Sequence, residues 1–236
     1  MKKRSKRYRA IAEKAPKELL GSLKEAIELA RENATAKFDE SMEMHVRLGV
    51  DPRHADQQVR STIVLPHGIG VDKRVLVIAG GEKVKEAQDA GADLVGGEDM
   101  VQKIEGGWLD FDAVIATPDM MKSVGKLGKI LGPRGLMPSA KTGTVTFGVG
   151  HAVSEIKAGK VEFRVDKFGI IHNSFGKAGF PVENLYENGK ALLRAIVRAK
   201  PAAAKGQYIK SLAVTSTMGT SFRVDPNAAV KELSAE

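Results

Sequence analysis

Residues 41–50 alternate strictly: Met42, Met44, Val46, Leu48 and Val50 interleave with Ser41, Glu43, His45, Arg47 and Gly49. A period of two puts one set on the core face of a strand and the other toward water. Upstream the period lengthens. Leu19, Leu20, Leu23, Ala26, Ile27 and Ala30 recur at helical spacing, with Lys17, Lys24, Glu25, Glu28 and Arg31 on the wetter side, so an amphipathic helix precedes the strand. Near the other end of the chain, strands are expected over 160–166, 169–172 and 207–217, and a long helix over 182–199. On that helix Lys190, Arg194 and Arg198 recur every four residues as a cationic stripe, read most simply as a solvated face. These two flanks predict an α+β layer pair with antiparallel strands.

The middle reads differently. Apolar runs at 75–79, 93–95 and 113–116 lack the two-residue alternation and are separated by helical patterns at 82–90 and 99–104. Strands buried on both faces and joined by helices imply parallel crossovers, hence a Rossmann-like three-layer α/β unit. The fold expected is therefore α/β with two domains: a split α+β two-layer domain at 1–68 plus 160–236, and an inserted domain at 69–159. Leu65-Pro66-His67-Gly68 and Ala158-Gly159 are the expected linkers. Gly80-Gly81 before a helix is better explained as a tight strand-to-helix turn than as a phosphate loop, because neither nucleotide-binding glycine fingerprint occurs there.

Charge follows the same division. The chain has 236 residues, with 37 Lys and Arg against 29 Asp and Glu. Residues 1–68 hold 14 basic and 10 acidic side chains and residues 160–224 hold 11 and 4, whereas residues 71–119 hold 5 and 11. The excess of positive charge thus sits in the flanks, as expected if they contact a polyanion. Zero cysteines excludes disulfides, thiolate metal sites and cysteine nucleophiles. Five dispersed histidines give a metal site little support, and no cofactor is expected. Without a run of about 18 apolar residues or an apolar signal core, no membrane partner is expected and a cytoplasmic location is.

One segment of the insert is basic. Gly125-Lys-Leu-Gly-Lys-Ile-Leu-Gly-Pro-Arg-Gly-Leu-Met-Pro138 carries four glycines and two prolines in fourteen residues, and Lys126, Lys129 and Arg134, with Lys141 beyond, have no acid near in sequence. It predicts a shaped loop rather than a continuous helix, with cations placed for phosphates. On the C-terminal flank, if Leu212 and Val214 face inward, then Ser211, Ala213, Thr215 and Thr217 form an outer row of small side chains ending at Gly219. Such a row can read the 2′-OH and shape of folded RNA, and is equally ordinary on a solvent-facing strand.

The glycine-rich segment, continuing to Lys141-Thr-Gly143, resembles the signature of the ribosomal protein L one family of the large subunit, bacterial type, and the resemblance extends from about Tyr8 to Val224. Ser139-Ala140 departs from the Asn-Pro frequent in relatives. Thr217-Met218-Gly219 matches the family's RNA-binding strand end, and Lys37-Phe38-Asp39-Glu40 with Ser41 and Glu43 matches its companion segment. The resemblance implies apolar contact with RNA by Phe38 and Met218, and a hydrogen-bond network from Ser41, Glu43, Ser211 and Thr217. Arg164, Lys167 and His172 resemble a further backbone-contacting group. Phe38 is equally readable as a core residue. No catalysis is implied. The implied partners are large-subunit ribosomal RNA at the mobile stalk, exit-site tRNA whose release the protein assists, and its own operon messenger RNA, which it represses; it is expected as a monomer within the ribosome. A nucleotide-dependent enzyme and a general basic RNA chaperone are the competing readings.

Overall fold

The computed structural model describes residues 5–16 and 18–234. Lys17, assigned above to the wet side of a helix, lies outside the described residues. The chain separates into two compact units, Met1–Gly70 with Glu162–Glu236, and Val71–Val161.

The first unit begins with α1 (Lys6–Lys14) and α2 (Leu23–Glu32). The second helix starts later than its apolar pattern suggests. The Ser22 hydroxyl accepts the Lys24 N–H at 3.2 Å and caps it, leaving Leu19 exposed and Leu20 bridged to Val224. Its buried stripe is Leu23, Ala26, Ile27 and Ala30. Next comes β1 (Ser41–Leu48), in which Met42, Met44, Val46 and Leu48 are buried as the alternation requires, and then β2 (Arg60–Val64).

The second unit contains β3 (Val75–Ile78), α3 (Lys83–Asp89), β4 (Leu94–Gly96), α4 (Glu98–Glu105), β5 (Ala113–Ala116), the short α5 (Met121–Val124) and α6 (Gly128–Leu131), and α7 (Val149–Lys157). Its three strands pair in the order β4-β3-β5, all parallel. One face of that sheet packs Leu76 and Ile78 against Met100, Ile104, Val124, Leu127 and Leu131. The other packs Val75 and Val77 against Ala87, Val149, Val153 and Ile156. Helices therefore cover both faces.

The chain returns to the first unit through β6 (Lys160–Arg164), followed by β7 (Ile170–Lys177), α8 (Val182–Arg198), β8 (Ile209–Ser216), β9 (Ser221–Val224) and α9 (Pro226–Ser234). A four-stranded antiparallel sheet runs β7-β1-β8-β9, and β2 pairs with β6 in a separate ribbon. Both long helices, α2 and α8, lie on the inner face of the larger sheet. Gly189 on α8 lets it approach, since a Cβ there would sit 3.4 Å from Ile27 Cδ1 and 3.5 Å from Met44 Cε.

Several sequence expectations change. β7 extends to Lys177, well past the expected end at 172, with a bulge opposite Met42/Glu43: Gly176 and Ser174 pair there, and the buried Phe175 between them is the extra residue. The glycine-rich segment is not loop throughout: α5, a 3-10 turn at Gly125–Leu127 and α6 run on as a helical stretch. Glycine in a helix costs about 1 kcal/mol relative to alanine, and here burial of Val124, Leu127 and Leu131 on one side offsets it. The loop proper begins at Gly132. Lys190 is buried at 8% exposure over the Tyr186 ring, while Arg194 is half-buried and Arg198 exposed, so the expected stripe is not one solvated face.

The two crossings between units also fall later than the expected 68 and 159. Residues 65–68 are held to α8: Asn188 Oδ1 accepts the His67 N–H at 3.0 Å, and its Nδ2 donates to Gly68 O at 2.8 Å and Phe175 O at 2.9 Å. At the second crossing Lys160 stays with the middle unit. Its carbonyl accepts from Lys73 Nζ at 3.1 Å, and its ammonium pairs with Glu155 at 2.7 Å.

Candidate nucleic-acid interface

With its inner face under helices, the four-stranded sheet presents its other face outward. Antiparallel register fixes which side chains share it. Glu43 lies opposite Thr215, and Thr215 opposite Ser221; His45 lies between His172 and Ala213, and Ala213 opposite Arg223; Arg47 lies opposite Ser211. The result is a row of small hydroxylated residues beside cations and imidazoles. Leu212 and Val214 point inward, as the alternation on β8 requires.

At the Ser41 end of this face two segments meet. The Thr217 N–H donates to Ser41 O at 3.0 Å, and the Ser41 N–H donates to Thr217 Oγ1 at 2.9 Å. Lys177 Nζ donates to Ser41 Oγ at 2.9 Å. The Thr217 hydroxyl is thus committed to the protein: its proton lies toward Ser41 O at 3.3 Å and one lone pair is taken. What it retains for a sugar is one acceptor site. Thr215 is similarly engaged, its hydroxyl lying 3.1 Å from Thr220 O and 3.0 Å from Ser216 O.

Glu40 joins the segments from beneath. Its side chain is 1% exposed, Oε2 accepting the Met218 N–H and Oε1 the Ala36 N–H, each at 2.8 Å. Burial alone would push its pKa up, but the N–H groups of Met218 and Ala36, the Ser216 hydroxyl and the charge of Arg7 outweigh that and hold it below the ordinary value. Arg7 braces the same place, donating to Met218 O at 3.1 Å and Thr35 Oγ1 at 3.0 Å. Above this bracing Phe38 and Met218 stand 55% and 49% exposed, so Phe38 is no core residue. Lys37 is exposed next to Phe38. A Cβ on Gly219 would fall 2.4 Å from Ser216 Oγ, so a side chain there would require that hydroxyl to turn away.

The opposite end of the face carries the β6–β7 turn. Arg164, Lys167 and His172 are exposed there. His172 is partly engaged, its Nδ1 2.8 Å from His45 Nδ1 and its Nε2 3.6 Å from Asp166 Oδ2. Glu43, expected to accept from donors, lies 3.7 Å from His45 Nε2. Burial and then the neighbouring His172 lower the pKa of His45, against the opposing pull of Glu43.

In the other unit Lys126, Lys129, Arg134 and Lys141 are all exposed, the first two on the helical stretch and the last two on the loop beyond it. That loop is shaped by its backbone. Gly135 and Gly143 adopt φ of 71° and 70°, and a Cβ on Gly132 would strike Gly128 O at 2.5 Å. At the Ser139-Ala140 departure, Ser139 Oγ accepts the Lys141 N–H at 3.3 Å and so caps the turn at Ala140–Thr142.

Sequence reasoning missed Glu40, Arg7 and Lys177 as organisers of the site. Glu40 had left a signal: it shares the parity of Met42, Met44 and Val46, where a carboxylate requires buried donors. No group of three or more His, Asp or Glu residues suited to a metal ion occurs among the described residues.

The sequence model of the Ribosomal protein L1p/L10e family matches residues 30–220. Two relatives from Thermus thermophilus are each named "Large ribosomal subunit protein uL1". Each is 56% identical to this chain over 229 residues, which span 97% of the chain and the whole of the relative.

Proposed function

The chain belongs to the ribosomal protein L1 family, and from that membership we propose that it is a structural constituent of the large ribosomal subunit, associated with its ribosomal RNA. It is not an enzyme, and it belongs to the ribosome in the cytoplasm. In the finer reading, the first unit is a split α+β domain that holds ribosomal RNA directly at the mobile stalk, and the second is an inserted Rossmann-like domain carrying a basic loop.

The observation that carries the RNA assignment is the outward sheet face ending in two exposed apolar side chains, Phe38 and Met218, on a rigid base. Such a surface reads shape. The N–H groups of Ser41, Thr217 and Met218 and the hydroxyls of Ser41, Thr215 and Thr217 are already paired within the protein, which fixes the positions of the side chains that would touch RNA, and the cations Lys37, Arg164 and Lys167 supply attraction for phosphates at either end. Ser41, Glu43, His172, Ser211, Thr215, Thr217 and Gly219 complete the proposed surface. Lys126, Lys129, Arg134 and Lys141 would form a second contact, to RNA or to exit-site tRNA, through which the protein assists tRNA release.

Repression of the operon messenger belongs to the same proposal. One shape-reading surface cannot hold ribosomal and messenger RNA together, so the messenger is bound when free protein exceeds its ribosomal sites. Crosslinking of protein to RNA in intact ribosomes, followed by sequencing of the attached RNA, tests the assignment. Crosslinks from Phe38 and Met218 to one folded ribosomal segment are expected, and crosslinks scattered over unrelated RNAs would overturn it in favour of a general basic chaperone.

A further inference from the structure

The β6–β7 turn carries an aromatic side chain that neither the core nor the proposed surface uses. Phe168 is 69% exposed, the most exposed large apolar side chain among the described residues. The turn beneath it is stiff. Asp166 Oδ1 accepts both the Phe168 N–H and the Ile170 N–H at 2.8 Å, and Gly169 sits at φ 78° with its carbonyl accepting the Leu48 N–H at 2.8 Å. A Cβ on Gly169 would lie 3.3 Å from Val50 O, so the turn is seated against the end of β1. Lys167 Nζ lies 5.1 Å from the Phe168 ring centroid, and Arg164 and His172 flank the turn.

A rigidly mounted aromatic ring with a cation over it and further cations nearby is a platform for a base whose phosphates those cations attract. We propose that Phe168 stacks on an unpaired nucleobase of a bound RNA, with Lys167 and Arg164 on the flanking phosphates. This rests on the RNA-binding reading above and adds a position to it. Thr217 meets β1 at Ser41 and the Phe168 turn meets it at Leu48, seven residues further along. At about 3.4 Å per residue the two ends are over ~20 Å apart. Phe168 therefore engages a different nucleotide from Met218 and Phe38, and its effect adds to theirs.

The test uses the full chain and two probes, a large-subunit ribosomal RNA transcript and, separately, deacylated tRNA. Phe168→Ala and Phe168→Leu are expected to weaken binding to one of them by roughly tenfold, within the range set by base stacking on aromatic side chains, while Phe168→Tyr keeps it. Loss with the transcript assigns the base to ribosomal RNA, and loss with tRNA assigns it to tRNA. The salt slope should be unchanged in all three, whereas Lys167→Ala should lower it. A Phe168→Trp variant on a Trp108→Phe background should show fluorescence quenched by the same probe. Wild-type affinity in Phe168→Leu would mean contact without stacking and overturn the proposal. So would full affinity in Phe168→Ala while Met218→Ala weakens binding, which leaves the sheet reading standing. If neither variant weakens binding, both fall.

Discussion

Replacing Glu40 should damage RNA binding without removing any group that touches RNA. Its carboxylate is the common acceptor for the Met218 and Ala36 N–H groups, on two segments far apart in sequence. A hydrogen bond to a charged group is worth about 1.5 to 3 kcal/mol. Glu40→Gln keeps one oxygen and turns an NH2 toward the other N–H, so about 1.5 to 3 kcal/mol should be lost at pH 7. Glu40→Ala strands both donors, though water reaches the exposed Met218 turn, and about 2 to 4 kcal/mol is expected. The pH dependence has a definite sign. A carboxylate whose folded pKa is lowered contributes stability that is present above its unfolded value and is lost as pH falls through the folded value. The gap between wild type and Glu40→Gln should therefore close as pH drops below about 4. Urea unfolding followed by circular dichroism measures it. Trp108, the single tryptophan, lies in the other unit and reports on that one, which supplies an internal control. Equal midpoints for wild type and Glu40→Gln at pH 7, together with undiminished RNA affinity, would refute the bracing role.

Three further outcomes are expected. In salt titrations of RNA affinity, Thr217→Val and Met218→Ala should weaken binding with little change of slope, whereas Lys37→Ala or Arg164→Ala should each lower the slope by about 0.7 to 0.9; the reverse pattern would remove the case for a shape-reading face with a cationic rim. By NMR titration His45 should ionise below the ordinary histidine value, and His172→Ala should raise it partway, since burial remains. Because the folded pKa is lowered, stability from neutral His45 is full above about 6.5 and declines as pH falls through the folded value, so a His45 pKa above 6.5 would contradict the geometry. In competition titrations ribosomal RNA should displace operon messenger, and Met218→Ala should weaken both; simultaneous occupancy of one molecule would show two sites.

What the sequence disclosed depended on period. β1 was legible because its core face is continuous from Met42 to Leu48, and β3 and β5 because both faces are buried. β2 and β9 are short, only partly apolar segments, and their pairing is decided by distant partners. α7 had apolar residues at helical spacing, Val149, Ala152, Val153 and Ile156, obscured by Gly148 and Gly150. The proposed contact residues stand on the outward face and its ends, while the parity of the acid beneath them gave away its burial but not its role, because its partners are main-chain N–H groups, which carry no signature in the sequence. The paired hydroxyls of Thr215 and Thr217 were hidden for the same reason.

The strand order β7-β1-β8-β9 imposes a timetable on synthesis. β1 lies at the centre of its sheet, yet both neighbours are made more than a hundred residues after it. While the chain is being made, α2 is the only helix of the inner face available to Met42, Met44 and Val46, and their strand presents two unsatisfied edges. The middle unit, whose strands and helices are contiguous, can condense as soon as Val161 emerges. The first seventy residues, with 14 basic and 10 acidic side chains, find their first partners in β6 and β7, and their sheet closes only when β8 arrives. A nascent chain in that condition can be caught by RNA or by other exposed strands before its own sheet closes, so the interval between Val161 and Ser216 is when this protein is most open to misassembly.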